Sequence, residues 1–488
     1  MGLIKDTLSS DINQILNTAN PNQSINLYAT LHTPEDDIDI KFLEAVTFHR
    51  DYNSSIGDYI MVEFRVTVDV YKGYIEPYRD NMELTLYGYY GNNSTKDTET
   101  DAWPYEERFK MYLINQTDTQ GDKLDNLSKS DMGIAGFKII RAQCLYRELE
   151  VLRTVTTQGI IKNVSIEDYL TWLYFIDDGS YGSVSGEPIT YTSYVYPPNN
   201  TSPINHLVIP SGTKVMSVPK YIQEDNVGVY KGEIGTYFQK IYANSTLGNG
   251  ESNQNVIFVY PLYNKDMFDE TSSPAKKLMI IYPANHMWDS SPNNYKVDGD
   301  TIKILPSGNI QVDDTGENEI SNKGAGYISN NPMSVLSRNL EVSDSEAMAE
   351  PSDSLSAIHV QDKRDGMIYT PTLRNVANEY ILLSELSKAT MCSYIVKWKF
   401  CDMNLIYPGM PVNIVKSTTR DGIIEIKGSV QATFCRWNTS DKTFIGAINI
   451  YAEKWSLNNE LKAGWDDTAD SSTNSILGTE SLVNHSQG

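Results

Sequence analysis

The stretch "IMVEFRVTVDVY" at residues 60–71 constrains the fold of this chain more than any other part of the sequence. Apolar residues occupy every second position from Ile60 to Val70, and polar residues such as Glu63 and Arg65 lie between them. A period of two predicts a β-strand with one buried and one solvated face. Further strands are predicted by apolar runs in residues 82–86, 109–114 and 137–145. Four or more strands joined by turns predict a small barrel or sandwich.

The period changes in "VSIEDYLTWLYF" at residues 164–175. From Ile166 onwards, apolar side chains recur at i, i+3, i+4, i+7 and i+8, which is the spacing of one helix face. Ser165 with Asp168 three residues later resembles a capping box. The sequence therefore predicts a short amphipathic helix that opens a new domain.

The last hundred residues regain a regular pattern. A helix is predicted over 374–389, followed by a strand over 393–400 in which Trp398 points inward. In "LIYPGMPVNIV" (405–415), Pro408 and Gly409 suit the two central positions of a type II turn, so a hairpin is expected there. Further strands are predicted over 422–430 and 443–455.

These patterns predict an α+β chain that is mainly β, with two small β-barrel domains and a mixed α+β domain between them. The tail after Trp455 is expected to become ordered only on contact with a neighbour. The predicted divisions are an N-terminal arm (1–22), a first β-barrel domain (23–155), a middle α+β domain with long loops and an acidic linker (156–365), a helix plus second β-barrel domain (366–456) and a polar C-terminal tail (457–488).

Length and composition narrow the classes of function. With 488 residues, two or three domains are expected, because single cores stop growing near ~250–300 residues. A net charge of −23 makes a nucleic-acid-binding surface improbable. The excess of Tyr (32) over Phe (12) favours strands with half-wet faces. No apolar run reaches the length of a membrane span or of a signal peptide, so a soluble protein made in the cytoplasm is expected.

The usual chemical motifs are absent from the sequence. None of the six histidines belongs to an H-E-x-x-H zinc motif, and no Gly-Lys dipeptide is present for a Walker A loop. The four cysteines lack C-x-x-C spacing and are predicted to be reduced core thiols. Three weaker motifs are incomplete. Val184 stands where a nucleophile elbow in 182–186 would need its serine, and Lys296 stands where a calcium loop in 293–300 would need an oxygen ligand. Residues 324–329 match a dinucleotide-binding loop poorly. No cofactor is predicted.

Carboxylate pairs could in principle serve a glycosidase. Asp177–Asp178 and Asp313–Asp314 are such pairs, but in a chain with 63 acidic residues they are better read as solvated loop residues. The seven tryptophans could form a sugar platform, yet Trp398 reads as core and Trp172 belongs to a predicted helix. We therefore predict no catalytic, cofactor-binding or metal-binding residues, and no enzymatic activity.

The run "MIYTPTLRNVANEYILLSELSKATMCSYIVKWKFCDMNLIYPGMPVNIV" resembles the closing region of the central baseplate hub proteins of contractile-tailed bacteriophages. Earlier segments fall in the same family's order, namely "SINLYATLHT", "IMVEFRVTV", "NMELTLYG" and "SIEDYLTWLYF". The helix–strand–PG–strand signature is also shared with the hub domains of type VI secretion spikes and tailocins. Residues 180–365 show no resemblance.

The resemblance implies a structural virion protein of the tail baseplate that forms a homotrimeric ring. Two barrels from each chain would present a pseudo-sixfold face to the hexameric tail tube, while the opposite face holds the trimeric central spike. Baseplate wedge proteins and a tape measure protein are further expected partners. DNA would pass through the ring without specific binding, which an acidic lumen favours by repelling phosphate.

Two alternative functions remain open at this stage. One is another tail component, such as an adaptor or a wedge protein. The other, of a different class, is a carbohydrate-binding or carbohydrate-active β-protein that uses its aromatic residues at the host surface.

Overall fold

The computed structural model describes most of the chain but leaves out several segments. It describes residues 2–18, 25–54, 57–79, 81–90, 105–114, 137–175, 182–184, 187–241, 254–262, 265–269, 276–282, 291, 293–313, 325–329, 350–352, 355–359, 368–371, 380, 391–417 and 423–453. The predicted helix over 374–389 lies outside the described residues except for Tyr380, and the predicted C-terminal tail (457–488) lies wholly outside them.

Strands dominate the described part of the chain, as predicted for a mainly β protein. The principal helices are α1 (Gly2–Leu16), α2 (Arg147–Leu152), α3 (Ile166–Tyr174) and α4 (Val218–Asp225). The strands are β1 (Ile25–His32), β2 (Asp37–Ile40), β3 (Phe42–Asp51), β4 (Asp58–Thr67), β5 (Met82–Tyr90), β6 (Tyr105–Leu113), β7 (Phe137–Tyr146), β8 (Thr156–Ile161), β9 (Ser183–Val184), β10 (Glu187–Pro188), β11 (Thr192–Val195), β12 (Leu207–Lys214), β13 (Ile234–Ile241), β14 (Gln254–Pro261), β15 (Lys277–Tyr282), β16 (Tyr295–Asp298), β17 (Thr301–Ile304), β18 (Gln311–Asp313), β19 (Ala325–Ser329), β20 (Glu350–Ser352), β21 (Leu355–His359), β22 (Ile368–Pro371), β23 (Met391–Lys399), β24 (Pro411–Ser417), β25 (Ile423–Asn438) and β26 (Phe444–Glu453).

The first seven strands form one unit, which we call the first module. Their hydrogen-bonded order is β3-β4-β7-β6-β5-β1-β2, and every neighbouring pair is antiparallel. Strand β4 buries Ile60, Val62, Phe64 and Val66 on one face, as the alternating sequence predicts. The strand ends at Thr67, whose hydroxyl accepts a hydrogen bond from the Val70 N–H and caps a helical turn, so the alternation up to Val70 does not continue as strand.

The last strands of the chain form a second module with the same plan. Their order is β18-β23-β26-β25-β24-β15-β17. Taken along the chain, β15, β17, β18, β23, β24, β25 and β26 therefore occupy the positions of β1 to β7. Four of the six ladders are antiparallel in both modules; the difference is that β15 runs parallel to its neighbours β24 and β17, whereas β1 is antiparallel to β5 and β2. The same topology thus occurs twice in one chain.

Other strands lie between and within the modules. A three-stranded sheet β11-β14-β13, the ribbon β8–β12 and helices α3 and α4 come between β7 and β15. A four-stranded sheet β20-β21-β19-β22 comes between β18 and β23. Helix α3 starts at Ser165, whose hydroxyl accepts from the Asp168 N–H, so the predicted capped helix is confirmed.

The two-barrel architecture is not confirmed by the hydrogen-bond pattern. Within the residues that the structure describes, neither strand order closes on itself through a ladder. Strands β15 to β18, which fall within the predicted middle domain, pair with strands of the second module. The domain boundaries proposed from the sequence remain predictions.

The predicted hairpin at Pro408–Gly409 is wrong, although the turn itself is present. The Met410 N–H donates to the Tyr407 carbonyl, and Gly409 has a φ of +68°. The residues before the turn form a short 3-10 helix instead of a strand, because Asp402 caps its first turn through the Asn404 N–H. Strand β24 pairs with β15 and β25, not with β23.

Part of the tyrosine-rich composition lies in the core. Eight of the largest fully buried side chains are tyrosines, and several donate their hydroxyl to a buried carbonyl. Examples are Tyr174 to Val215 and Tyr230 to Tyr196, at 3.0 and 2.7 Å. A buried tyrosine provides apolar contact area and also satisfies a backbone acceptor that would otherwise be unpaired.

Replacing Gly409 by valine should destabilise the fold by on the order of 3 kcal/mol. The positive φ disfavours a β-branched residue, and a Cβ at this position would lie 2.5 Å from Cδ2 of the buried Tyr260 ring. Gly299→Val is the matched control, because Gly299 also has a positive φ but a Cβ added there would have nothing within 4 Å. Urea unfolding of both variants measures the difference. Equal stabilities would contradict the close approach to Tyr260.

Candidate functional site

The two modules meet along a single β-ladder, which we call the seam. Strand β3 pairs antiparallel with the C-terminal half of β25, from Ala45 opposite Asn438 to Asp51 opposite Ala432. The ladder is prolonged at its ends by hydrogen bonds from the Tyr52 N–H to Gln431 O (2.9 Å) and from the Thr439 N–H to Glu44 O (3.0 Å). Segments almost four hundred residues apart are therefore joined by regular backbone hydrogen bonds.

Strand β25 can take part in both modules because it is long and bulged. Its N-terminal half pairs with β24, its C-terminal half pairs with β3, and β26 follows its other edge. The register with β26 shifts between Val430 and Ala432, which places a bulge at Gln431. Such a bulge bends a strand and re-aims its ladder. The Gln431 side chain is fully buried and its amide donates to Leu262 O at 2.7 Å.

A buried polar cluster lies under the seam. Arg50 on β3 is buried, and its Nη1 donates to the Met403 carbonyl of the second module at 2.9 Å. Tyr52 contacts Tyr237 of β13 edge to face, with ring centroids 4.8 Å apart. The Tyr260 hydroxyl of β14 donates to the Tyr52 carbonyl. The cluster thus connects the first module, the second module and the three-stranded sheet.

Burial changes the acid–base properties of this cluster. It raises the pKa of Asp58, which faces Arg50 across the β3–β4 ladder, to about 7, although the guanidinium opposes the shift. Burial lowers the pKa of Arg50, but Asp58 and the tyrosines Tyr52, Tyr146 and Tyr237 together outweigh burial and raise it. Burial raises the pKa of Tyr52 to about 12. Arg50 therefore stays charged at the seam, and Asp58 changes charge near neutral pH.

A second ionic cluster joins the first module to the three-stranded sheet. Lys240 of β13 lies 2.7 Å from the Glu107 carboxylate of β6 and 3.2 Å from that of Glu148 in α2. All three side chains are mostly buried. Burial raises the pKa of Glu107 against the attraction of Lys240, and the two carboxylates raise the pKa of Lys240 despite its burial. Removing Lys240 would leave two mostly buried carboxylates without their cation.

The solvent-facing side of the seam forms one continuous surface, which we call the outer face. It consists of the outward side chains of β7, β4, β3, β25, β26 and β23. At its centre, His49 stacks on Tyr59 (4.6 Å between centroids) and meets Phe434 edge to face (4.9 Å). Burial lowers the pKa of His49, which favours a neutral ring. A shallow cavity of about 540 Å³ opens there and includes Gln143 and Asn449 in its lining.

Charges on the outer face are largely paired. Arg65 contacts Glu44, and Glu63 contacts both Arg141 (2.9 Å) and Arg436 (3.4 Å). Three arginines thus face two glutamates. The chain's net charge of −23 is therefore not concentrated on this part of the surface.

Among the residues that the structure describes, the chemical candidates from the sequence do not come together. His32 contacts Asp37 and Thr85 at 2.6 and 2.7 Å, and the segment around Lys296 is the hairpin β16–β17. Residues 325–329 form β19, and Asp177 and Asp178 lie outside the described residues. Trp398 is buried as predicted, whereas Trp172 on α3 is 70% exposed. All four cysteines are buried free thiols, as predicted.

Within the described ranges, no group of three or more His, Cys, Asp or Glu side chains could hold a metal ion. No helix in those ranges is long and apolar enough to cross a membrane. The functional features that the structure adds, the seam and its buried polar cluster, had no signature in the sequence.

No protein-family model matches the chain, and no curated protein matches it. Among solved structures, it is similar to a tail protein from Neisseria meningitidis (TM-score 0.43, 8% identity, 89% of this chain and 98% of the other). It is also similar to the 43 kDa tail protein of prophage MuSo2 from Shewanella oneidensis (0.41, 9%, 87% and 98%). A third is the lidded PdpA-VgrG complex of Francisella (0.40, 10%, 92% and 55%).

Two of these structural neighbours are named as tail proteins, and the third is a complex that contains VgrG. Their identities of 8–10% and TM-scores below 0.5 do not define a family for the chain.

Asp58→Asn should remove a pH dependence of stability. Because Asp58 has a pKa of about 7 when folded and about 3.8 when unfolded, the folded state binds its proton more tightly. The free energy of unfolding should therefore fall as pH rises from about 4 to 7. Asparagine imitates the protonated form, so the variant should match wild type near pH 4 and exceed it at pH 8.

Denaturant titrations across this pH range at fixed ionic strength provide the measurement for Asp58. Asp441→Asn, in the exposed turn between β25 and β26, is the control and should retain the wild-type slope. A wild-type slope in Asp58→Asn would show that the buried carboxyl does not titrate as described.

Proposed function

We propose that this chain is a structural protein of a phage-type tail baseplate, the hub that joins a hexameric tube to a trimeric spike. In this proposal it forms a homotrimeric ring with pseudo-sixfold symmetry and acts as a symmetry adaptor in the virion of a contractile-tailed phage. The proposal has a general part, which is a structural role in a phage-type tail, and a specific part, which is the ring with its symmetry and its partners.

One observation carries the proposal: the same seven-strand order occurs twice in the chain. A ring of three identical chains has only threefold symmetry. If each chain contributes two modules of the same topology, three chains present six comparable units. Such a ring can mate with a sixfold tube on one face and a threefold spike on the other.

Each module is proposed to be a small barrel that closes through the chain itself. The two ends of the first module's strand order, β2 and β3, are separated only by Lys41. In the second module, the corresponding strands β17 and β18 are separated by residues 305–310. A short covalent link between the first and last strand of an order limits how far the sheet can open, which supports a closed or nearly closed shape.

A symmetry adaptor also needs the two modules held at a fixed angle. The seam meets this need because two strands that share a regular ladder cannot pivot without breaking several hydrogen bonds at once. The buried contact from Arg50 to Met403 O adds a charge-assisted hydrogen bond across the same junction. These features support a rigid pair of modules.

We propose that the outer face lines the channel of the ring, because it continues over both modules along the seam. DNA in transit would meet arginines that are paired with glutamates, and not the acidic lumen expected from the sequence. Tube, spike, wedge and tape measure proteins would contact other surfaces. No enzymatic activity is proposed.

Mass measurement in solution tests the proposal. The purified chain, alone or with its spike, should have a mass of three times 54.9 kDa by light scattering. Low-resolution images of the particle should show six lobes around a central channel. A chain that stays monomeric both alone and with the spike, and that binds glycans, would instead support the carbohydrate-binding alternative.

A further inference from the structure

The repeated topology assigns an equivalent to each strand of the seam. By position in the strand order, β3 of the first module corresponds to β18 of the second, and β25 of the second corresponds to β6 of the first. Within the chain, β3 pairs with β25. Among the described strands, the equivalent contact, between β18 and β6, is not made within one chain.

We propose that this second contact forms between copies: β18 of one chain pairs with β6 of the next. The inference rests on the proposed ring, in which module follows module around the axis. If the first and second modules of one chain meet through β3 and β25, the second module of that chain should meet the first module of its neighbour through the equivalent strands. Three such contacts would close the ring.

The two strands have edges suited to this contact. Within the described residues, β18 pairs only with β23, so its other edge has no ladder. Strand β6 pairs with β5 only up to Met111, while its pairing with β7 continues to Leu113. Tyr112 and Leu113 at the end of β6 therefore project beyond β5. The seam half of β25 projects beyond β24 at the same, C-terminal end, but it is longer.

Apolar side chains lie at both edges. Val312 on β18 is 52% exposed, and Ile114 directly after β6 is 39% exposed. An exposed strand edge with apolar residues is prone to pair with another chain. Because β18 and β6 are different strands, the contact is heterologous, and only a rotation that closes will stop growth at a ring.

Proline substitutions can block each edge separately. The Ile114 N–H donates to Arg141 O of β7 at 3.1 Å, so the N–H of Leu113 points to the opposite edge of β6. Leu113→Pro should therefore block the free edge while keeping the β6–β7 ladder. On β18, Val312→Pro and Asp313→Pro are both made, because adjacent residues direct their N–H groups to opposite edges. Of these two β18 variants, the one that keeps the wild-type melting temperature is used for the mass measurements.

The decisive measurement is the mass of each variant alone and of the two mixed. Each variant alone should lose the trimer, since one of its two edges is blocked. An equimolar mixture should form a heterodimer, because the intact β18 edge of the Leu113→Pro chain can pair with the intact β6 edge of the other. The heterodimer cannot grow further.

Each outcome is informative. A trimeric wild type together with a trimeric, folded Leu113→Pro chain would overturn the edge assignment but leave the proposed ring intact. Monomeric variants that form no heterodimer on mixing would also overturn it. A wild type that is monomeric with and without its spike would remove the proposed function and this contact together. As a check without mutation, the amides of Leu113 and β18 should exchange more slowly in the trimer than after dilution to monomer.

A separate observation concerns two thiols in the second module. The Sγ atoms of Cys401 and Cys435 lie 3.4 Å apart, and both residues are buried. Gly446 pairs with Cys435 in the β25–β26 ladder, and a Cβ there would lie 2.7 Å from the Cys401 sulfur. Phe400 has a φ of +56°, a conformation uncommon for this residue type, directly before Cys401. The positive φ of Phe400 and the absence of a side chain at Gly446 together allow the sulfurs of Cys401 and Cys435 to lie close to each other.

We propose that Cys401 and Cys435 form a modification site. Oxidation by a hydroperoxide would join their two sulfurs in an intrachain disulfide. One thiol attacks the peroxide oxygen and gives up its proton, which breaks the O–O bond and gives a sulfenic acid and water. The second sulfur then displaces the sulfenic oxygen, so that two thiols and one hydrogen peroxide become one disulfide and two waters. The disulfide would fasten the segment that contains Met403, the acceptor of Arg50, to β25.

Peptide mapping of the full chain after mild hydrogen peroxide treatment tests this site. Two of the four thiols should be lost, in a peptide pair that links residues 401 and 435, and the melting temperature should rise by about 5 °C. Cys435→Ser should lose the rise, whereas Cys144→Ser, a buried thiol of the first module, should keep it. Gly446→Ala should slow the reaction by displacing Cys401. Four intact thiols, or sulfinic acid at either position, would overturn the site.

Discussion

The β-ladder between β3 and β25 is the interaction on which the rest of this structure depends. It turns two separate sheets into one surface and gives the chain a defined angle between its modules. Each hydrogen bond of a ladder contributes only ~1 kcal/mol, but all of them depend on the same register. A slip by one residue would turn every side chain to the other face. The polar residues under the seam make such a slip costlier, since Arg50 reaches Met403 O only in this register.

The buried polar cluster is better understood as specifying the junction than as stabilising it. Burying a charged group such as Arg50 carries a desolvation cost that its partners have to offset, and an apolar replacement is often as stable. Apolar contacts alone would not fix the relative orientation of the parts that they join. Gln431, Tyr260 and Arg50 each bond a particular backbone carbonyl in a different part of the chain, so only one arrangement of the three regions satisfies them all.

The sequence was informative where a pattern is local and uninformative where pairing is long-range. The alternation around Phe64, the capped start at Ser165 and the buried phase of Trp398 were predicted because neighbouring residues determine them. The Pro408–Gly409 turn was also predicted, yet its hairpin was not formed, since local turn chemistry does not say which strand comes alongside. The excess of tyrosine favoured strands with half-wet faces, but composition does not show that a hydroxyl such as that of Tyr230 finds a buried carbonyl.

The repeated topology could not have been read from the sequence for a related physical reason. What the two modules share is strand order and antiparallel pairing, and many different apolar residues can fill equivalent positions of a sheet. Insertions conceal the repeat further: β16 and the sheet β19–β22 interrupt the second module but have no counterpart among the described strands of the first. The seam between the two modules of one chain shows one way in which modules of this topology can pair with each other. Among the described strands, the edges of β18 and of the end of β6 are those at which the proposed contact between copies would repeat this geometry.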